Sequence, residues 1–495
     1  MADDTPIPPT PPDNPPDDDE ERQDPFNLIR AVIAVPLQRH IDANPAKVWS
    51  VIIDVNFRHA EGRGSAKNYT LQFIEEAICA VGDQGVEQGA HISKTSASQH
   101  YVYARLQGKV IRALVERDRR NATRSIFHVW PDFEVRAQIW RSVPTVKADA
   151  CRRAFAADGK GILWAVLDSG IDARHPHFDK HENLKKLPPP VTHMDFTADP
   201  PAKVDPTDDY GHGTHVAGII AGELDGTAPQ PPVAIARERD ATGKITYQMQ
   251  TDFGTVAGVA TECKLASFKV LDKNGTGLVS NVIAAIEKIQ EINGYGREII
   301  IHGVNLSLGY DFDAEWFACG QSPVCVEVDR LVRSGVCVVI AAGNTGQKLA
   351  LTINDPGNAE LAITVGATHR DMPHTYGVSY FSSKGPTGDG RRKPDLLAPG
   401  EKIVSCGAGP DLNTFKTKAG VGSQDGAYYI ERTGTSMAAP HVSGIIAGLL
   451  SVRGEFIGRP MDIKKILMDN ATDLGRDPVF QGRGLIDMMR AIQAI

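Results

Sequence analysis

Aromatic residues supply only 6% of this chain of 495 residues, in which hydrophobic residues make up 41%. A core so poor in rings suits a large α/β domain plus a smaller unit, and the length exceeds one ordinary domain. Two folded units are expected. No stretch has the roughly 18 consecutive apolar residues of a transmembrane helix. No basic block dominates and the net charge is −8, so nucleic acid and anionic membrane surfaces are disfavoured as partners. The first 25 residues, MADDTPIPPTPPDNPPDDDEERQDP, lack the cationic start and the apolar run of a secretory signal peptide. A soluble, cytoplasmic protein is expected. Cysteine is sparse: seven residues, an odd number, without a C-x-x-C pair. Reduced thiols fit that usage better than a disulfide framework, even though Cys319 and Cys325 are near enough in sequence to bridge.

Residues 1–25 bury nothing that offsets the entropy of ordering, and read as a disordered tail. From Val48 the pattern changes. VWSVIIDVNF reads as a strand, and YTLQFIEEAICAV sets Leu71, Ile74, Ile78 and Val81 at helical spacing. HYVYARLQ alternates as a strand, KVIRALVERD stacks Val110, Ile111, Leu114 and Val115 on one helix face, and SIFHVW is a further strand. With room for one more strand near residues 90–93, residues 26–139 read as a small α+β unit. Beyond Pro144 the apolar strands GILWAVLD, KLASFKVLD, EIIIHGVNLSL, VCVVIAA, AITVGA and KIVSC alternate with helical runs such as VSNVIAAIEKIQEI and VEVDRLVRSG. Residues 140–495 are therefore assigned to a doubly wound parallel sheet covered on both faces, whose ligands bind beyond the C-terminal ends of its strands.

Three segments carry chemistry. LDSGID ends a strand with Asp168, HGTHVAG opens a helix with His212, and GTSMAAPHVSG opens another with Ser436. Acid, base and hydroxyl are the parts of acyl transfer, because a serine hydroxyl attacks a carbonyl only when an imidazole takes its proton and a carboxylate holds that imidazole. At a helix N-terminus Ser436 also gains the positive end of the dipole and nearby N–H groups for a developing oxyanion. Gly211, Gly213, Gly343 and Gly434 flank these motifs where the chain must approach a substrate or another helix closely. VVIAAGNTG places Asn344 after an apolar strand. The order Asp168, His212, Ser436 is neither that of α/β hydrolases nor that of chymotrypsin-like enzymes, and Ala438 stands where a nucleophile elbow needs glycine. Together the four segments resemble the signatures of the subtilisin-like serine proteases, from roughly residue 142 to the C-terminus.

That resemblance implies a serine endopeptidase with Asp168, His212 and Ser436 as catalytic triad and Asn344 as side-chain donor of the oxyanion hole. It implies that Ser307, Leu308 and Gly309 pair with an extended polypeptide substrate. This strand and residues Ala341, Ala342 and Gly343 would wall the P1 pocket, and Tyr310 stands where relatives often have a second glycine. All are neutral, so P1 is expected to be apolar or aromatic, or small if Tyr310 intrudes. The unit 26–139 resembles the ferredoxin-like propeptide of many subtilases, an intramolecular inhibitor, with autocatalytic cleavage expected at about residues 135–141. The chemistry requires no cofactor and no metal; calcium often stabilises relatives, but no loop of calcium-binding spacing is legible. Two neighbouring activities would share the triad: a partner-triggered processing protease that retains its prodomain, and a transacylating subtilase such as a peptide macrocyclase.

Plainer readings stand beside these. Asp168 alone would be a strand-end cap. His215 shares a helix face with His212 but has no third metal ligand, and is read as a core residue. His175, His177 and His181 suggest zinc, yet H-P-x-[FL] in subtilases commonly marks a plain turn, which is preferred. His441 and Ser443 are read as packing, and the sequons at Asn68, Asn121, Asn274, Asn305 and Asn470 mean little without secretion. Two long insertions, near residues 228–252 and 406–430, are expected to be surface loops rimming the site, as lid, partner contact or decoration.

Overall fold

The computed structural model describes residues 32–495 except 34, 57, 99, 122, 132–141, 240–244, 252–253, 314, 316, 349–350 and 423–425. The tail of residues 1–25 and the cleavage segment at 135–141 lie outside the described residues. The chain divides into two compact units between Arg136 and Ala137.

In the first unit an antiparallel sheet runs in the order Gly89–Ala90, Tyr101–Gln107, Val48–Val55, Ile126–Pro131. Long helices at Gly62–Val81 and Gly108–Arg119 connect its strands, which is the split β-α-β order of ferredoxin-like folds. Register puts Ile53 between Val102 and Val129, all three fully buried. The helix face of Val110, Ile111, Leu114 and Val115 is buried as the spacing predicts. The other helix differs: its buried stripe is Ala66, Thr70, Phe73, Ile74 and Ala77, while Val81 is exposed. Leu71 and Ile78 are partly buried against the same core, so three of the four expected residues pack inward and the stripe is shifted toward Phe73, with Val81 alone left outside it.

The second unit is built on an eight-stranded sheet. Its order is Leu396–Glu401, Ile363–His369, Cys337–Ala341, Gly303–Leu306, Leu163–Asp168, Lys264–Lys269, Met194–Asp195, Ala202–Lys203, parallel except for the last pair. Successive side chains of a strand face opposite sides, and the central strand divides its residues accordingly. Trp164 and Val166 join the core under the helices His212–Ile220 and Thr435–Val452. Leu163, Ala165 and Leu167 join a second core under Val279–Ile292 and Pro323–Arg333. Near-continuous apolar strands are the mark of a sheet covered on both faces. The helix Thr435–Val452 is long and apolar enough to cross a membrane, but 83% of it is buried inside this core.

Two expectations fail. KIVSC belongs to a different sheet, and the strand that extends the main sheet past Ile363–His369 is Leu396–Glu401. The insertions are not separate loops. Their hairpin Pro232–Arg239/Ile245–Gln250 adds in parallel to Ala427–Arg432, which pairs with Ile403–Cys406, so both insertions form one four-stranded sheet. A small core of Ile235, Phe415, Tyr428 and Ile430 backs it, with the Tyr247 and Phe415 rings edge to face at 5.2 Å. Each insertion finds its strand partner in the other.

Candidate active site

Asp168 is fully buried at the C-terminal end of the central strand. Its Oδ1 accepts from its neighbour's backbone, Ser169 N at 2.8 Å. His212 opens its helix beside it, and Nδ1 lies 2.8 Å from Asp168 Oδ1 and 2.9 Å from Oδ2. An ionised carboxylate only accepts, so Nδ1 carries the hydrogen and Nε2 is left as the basic nitrogen. Gly211 reaches this turn at φ +99°, where a Cβ would collide with the Ala408 carbonyl, so glycine is required.

Ser436 is the second residue of the helix Thr435–Val452. Its Oγ donates to Ser307 O at 3.1 Å, and Ser307 Oγ donates back to Ser436 O at 2.9 Å. Behind them Asn305 Nδ2 donates to Ser307 Oγ, and Ser443 Oγ donates to Asn305 Oδ1. This buried chain fixes the serine turn against the strand that follows Leu306. Asn344 is oriented in the same way, its Oδ1 accepting from Thr435 N at 2.9 Å and Thr435 Oγ1 at 3.1 Å. With Oδ1 so held, the amide turns its Nδ2 hydrogens to other acceptors. The geometry therefore offers a carboxylate-oriented imidazole, a hydroxyl at a helix N-terminus and an oriented amide.

Comparison with known proteins decides what such a set belongs to. A model of the Subtilase family matches residues 159–484. The chain belongs to the subtilase family. It is a serine-type endopeptidase by that membership, and it is similar to Serine protease AprX of Bacillus subtilis (strain 168), 31% identical over 70% of this chain and 69% of that protein. The Major intracellular serine protease of the same organism is 32% identical over 64% of this chain and 82% of its own length. Subtilisin DY of Bacillus licheniformis is 29% identical over 71% of this chain and 97% of its own.

In this subtilase a cleft of about 360 Å³ is lined by His212, Ser307, Leu308, Gly309 and Tyr310. The structure thus brings together these five of the residues singled out in the sequence. Ala341 and Ala342 are buried, at the end of their strand and just beyond it. Gly343 donates its N–H to Thr435 Oγ1. The opposite wall, Gly275 to Val279 with Tyr210 and Leu271, is missed by sequence reasoning. Its signal was the G-x-G turn between a strand and a helix; a Cβ on Gly275 would strike the Tyr210 ring.

Sequence reasoning also missed Asp208, Thr435 and Asn305. Asn305 reads in sequence only as a sequon, and it is fully buried. Asp208 accepts at Oδ1 from Ser169 Oγ, Tyr210 N and Gly211 N, and at Oδ2 from Thr214 N and Oγ1.

The other imidazoles are occupied elsewhere. His175, His177 and His181 bind different partners: Tyr428 O, the Tyr429 hydroxyl with the carbonyls of Gly218 and Ala221, and Glu223. Among the described residues no group of three His, Cys, Asp or Glu could hold a metal. His215 Nε2 faces the carbonyls of Ile403 and Ile430, and His441 Nδ1 that of Met437. All seven cysteines are free thiols, Cys319 and Cys325 included.

Burial pushes the His177 ring down to about 3, the His441 ring to about 4, and the His215 ring well below the usual range. These rings stay neutral in the fold and take up protons on unfolding below pH 6.5. Stability is therefore complete above about pH 6.5 and is lost as pH falls toward 4, each ring steepening the slope by up to about 1.4 kcal/mol per pH unit. Melting temperatures between pH 7 and 4 check this, and His441→Gln should flatten the slope.

Proposed function

We propose that Ser436 is the nucleophile of this endopeptidase, His212 its general base and then acid, and Asp168 the group that orients the imidazole. What supports this reading most is the pair of bonds from His212 Nδ1 to both oxygens of buried Asp168, with the Ser436 hydroxyl held on the carbonyl of Ser307, a residue that lines the same cleft as His212. Ser436 Oγ leaves the Ser307 carbonyl and attacks the scissile carbonyl while Nε2 takes its proton. The tetrahedral oxyanion is held by the Ser436 N–H and Asn344 Nδ2. His212 then protonates the leaving amine, and water repeats the sequence on the acyl-enzyme. No step calls on a metal or cofactor.

An extended polypeptide substrate pairs with Ser307 to Gly309. The residues proposed to wall the P1 pocket, Ser307 to Tyr310 and Ala341 to Gly343, carry no charge, so apolar or aromatic residues are preferred at P1. Tyr310 N donates to Asp355 O at 2.9 Å and Asp355 N to Tyr310 O at 3.0 Å, which fixes the tyrosine backbone at the rim. Tyr310→Ala should move a peptide-library profile several-fold toward larger apolar side chains. A profile dominated by Arg or Lys contradicts the reading.

The unit of residues 26–139 is proposed to be an inhibitory prodomain, removed autocatalytically near residues 135–141. Its split β-α-β fold supports this. Intact-mass analysis should show two fragments for the wild type and a full-length chain for Ser436→Ala, and the freed module should inhibit in trans. An active wild type with its linker uncut would instead make the unit a permanent regulatory domain. A cytoplasmic location is proposed on the similarity to the relative named an intracellular serine protease.

A further inference from the structure

Asp208 is a buried carboxylate, 4% exposed, that no step above uses. It sits four residues before His212 and faces a structural problem created by glycine. The first N–H groups of a helix have no acceptor within the helix and are normally capped by the residue before it. Here that residue is Gly211, which cannot be anything else and has no side chain to cap with. Asp208 takes over the task from a distance. Gly211 N donates to its Oδ1 at 2.7 Å and Thr214 N to its Oδ2 at 2.8 Å.

The remaining bonds reach Asp168. Ser169 Oγ donates to Asp208 Oδ1 at 2.9 Å while accepting from Gly213 N at 3.0 Å, and Ser169 N donates to Asp168 Oδ1. Residues 211, 213 and 214, which flank the imidazole, are thereby tied to the strand end that carries the acid. All five donors on Asp208 are neutral groups, and a buried anion satisfied wholly by neutral donors is held for geometry and not for pairing with a cation.

We propose that Asp208 is the positioning residue of the catalytic base, locking the His212 turn onto the Asp168 strand so that imidazole and carboxylate meet in one arrangement. This rests on the triad reading above. Displacements of about 1 Å in such sites cost on the order of 100-fold in rate.

Asp208→Asn keeps the shape but presents an NH2 group to backbone donors. Its kcat per active site, with sites counted by an irreversible serine-directed titrant, should fall roughly 10- to 100-fold while KM stays within about threefold. Ser169→Ala and Thr214→Val should each lower kcat in the same direction by a smaller factor. Ser169→Ala should add less than about twofold on the Asp208→Asn background, because the groups act as one unit. A residue needed only for stability would lower the melting temperature and the titratable fraction but leave kcat per titrated site unchanged. That result in Asp208→Asn overturns the proposal. If that variant does not fold, wild-type kcat per titrated site in both Ser169→Ala and Thr214→Val overturns it. A wild type that takes no titrant defeats the triad reading itself, a failure distinguishable from the others.

Discussion

Ser436→Ala and His212→Ala should each lower kcat/KM on peptide substrates by a factor on the order of 10⁵ or more, and the double variant should lose little further. The losses do not add because the hydroxyl is a nucleophile only while the imidazole removes its proton, so either deletion abolishes the same step. Residual hydrolysis would come from the oxyanion donors and substrate binding alone. Initial rates on a quenched-fluorescence peptide, with residues 26–139 removed by limited proteolysis, read the effect directly. Losses in the two single variants that multiply in the double variant would mean that the residues act independently.

Asn344→Ala should be milder, lowering kcat by about 10² to 10³ with KM nearly unchanged, because one donor to the oxyanion disappears while the triad survives. The amide end that donates is set by Thr435, whose N–H and hydroxyl both occupy Asn344 Oδ1. Thr435→Ala should then produce part of the same kcat loss by letting the amide turn. Asn344→Asp should be at least as damaging as alanine, since a carboxylate offers the oxyanion no hydrogen. A KM effect without a kcat effect in Asn344→Ala would place this residue in ground-state binding instead.

The sheet of the second unit was legible because its strands are short, apolar and separated by amphipathic helices, and because Asp168, His212 and Ser436 each sit where a strand ends or a helix begins. What escaped sequence reading is contact between distant segments. The hairpin Pro232–Arg239/Ile245–Gln250 and the strand Ala427–Arg432 lie almost two hundred residues apart, and neither pattern alone says that they pair. KIVSC reads as apolar wherever it lies, so periodicity could not assign it to one sheet or the other. Asp208 escaped for a related reason: an aspartate in the polar run DPTDDYG looks like a turn residue until the fold closes five donors around it. In the first unit the helix Gly62–Val81 has apolar residues on more than one face, and only the sheet selects the stripe through Phe73.

The most direct test of the central claim is fluorophosphonate labelling of the purified chain, with intact mass and peptide mapping of the product. A serine is phosphonylated quickly only when a neighbouring base activates it. The account predicts one adduct per chain, located on the peptide containing Ser436, absent in Ser436→Ala and strongly slowed in His212→Ala and Asp168→Asn. No adduct even after removal of residues 26–139, or an adduct on any residue other than Ser436, would contradict it.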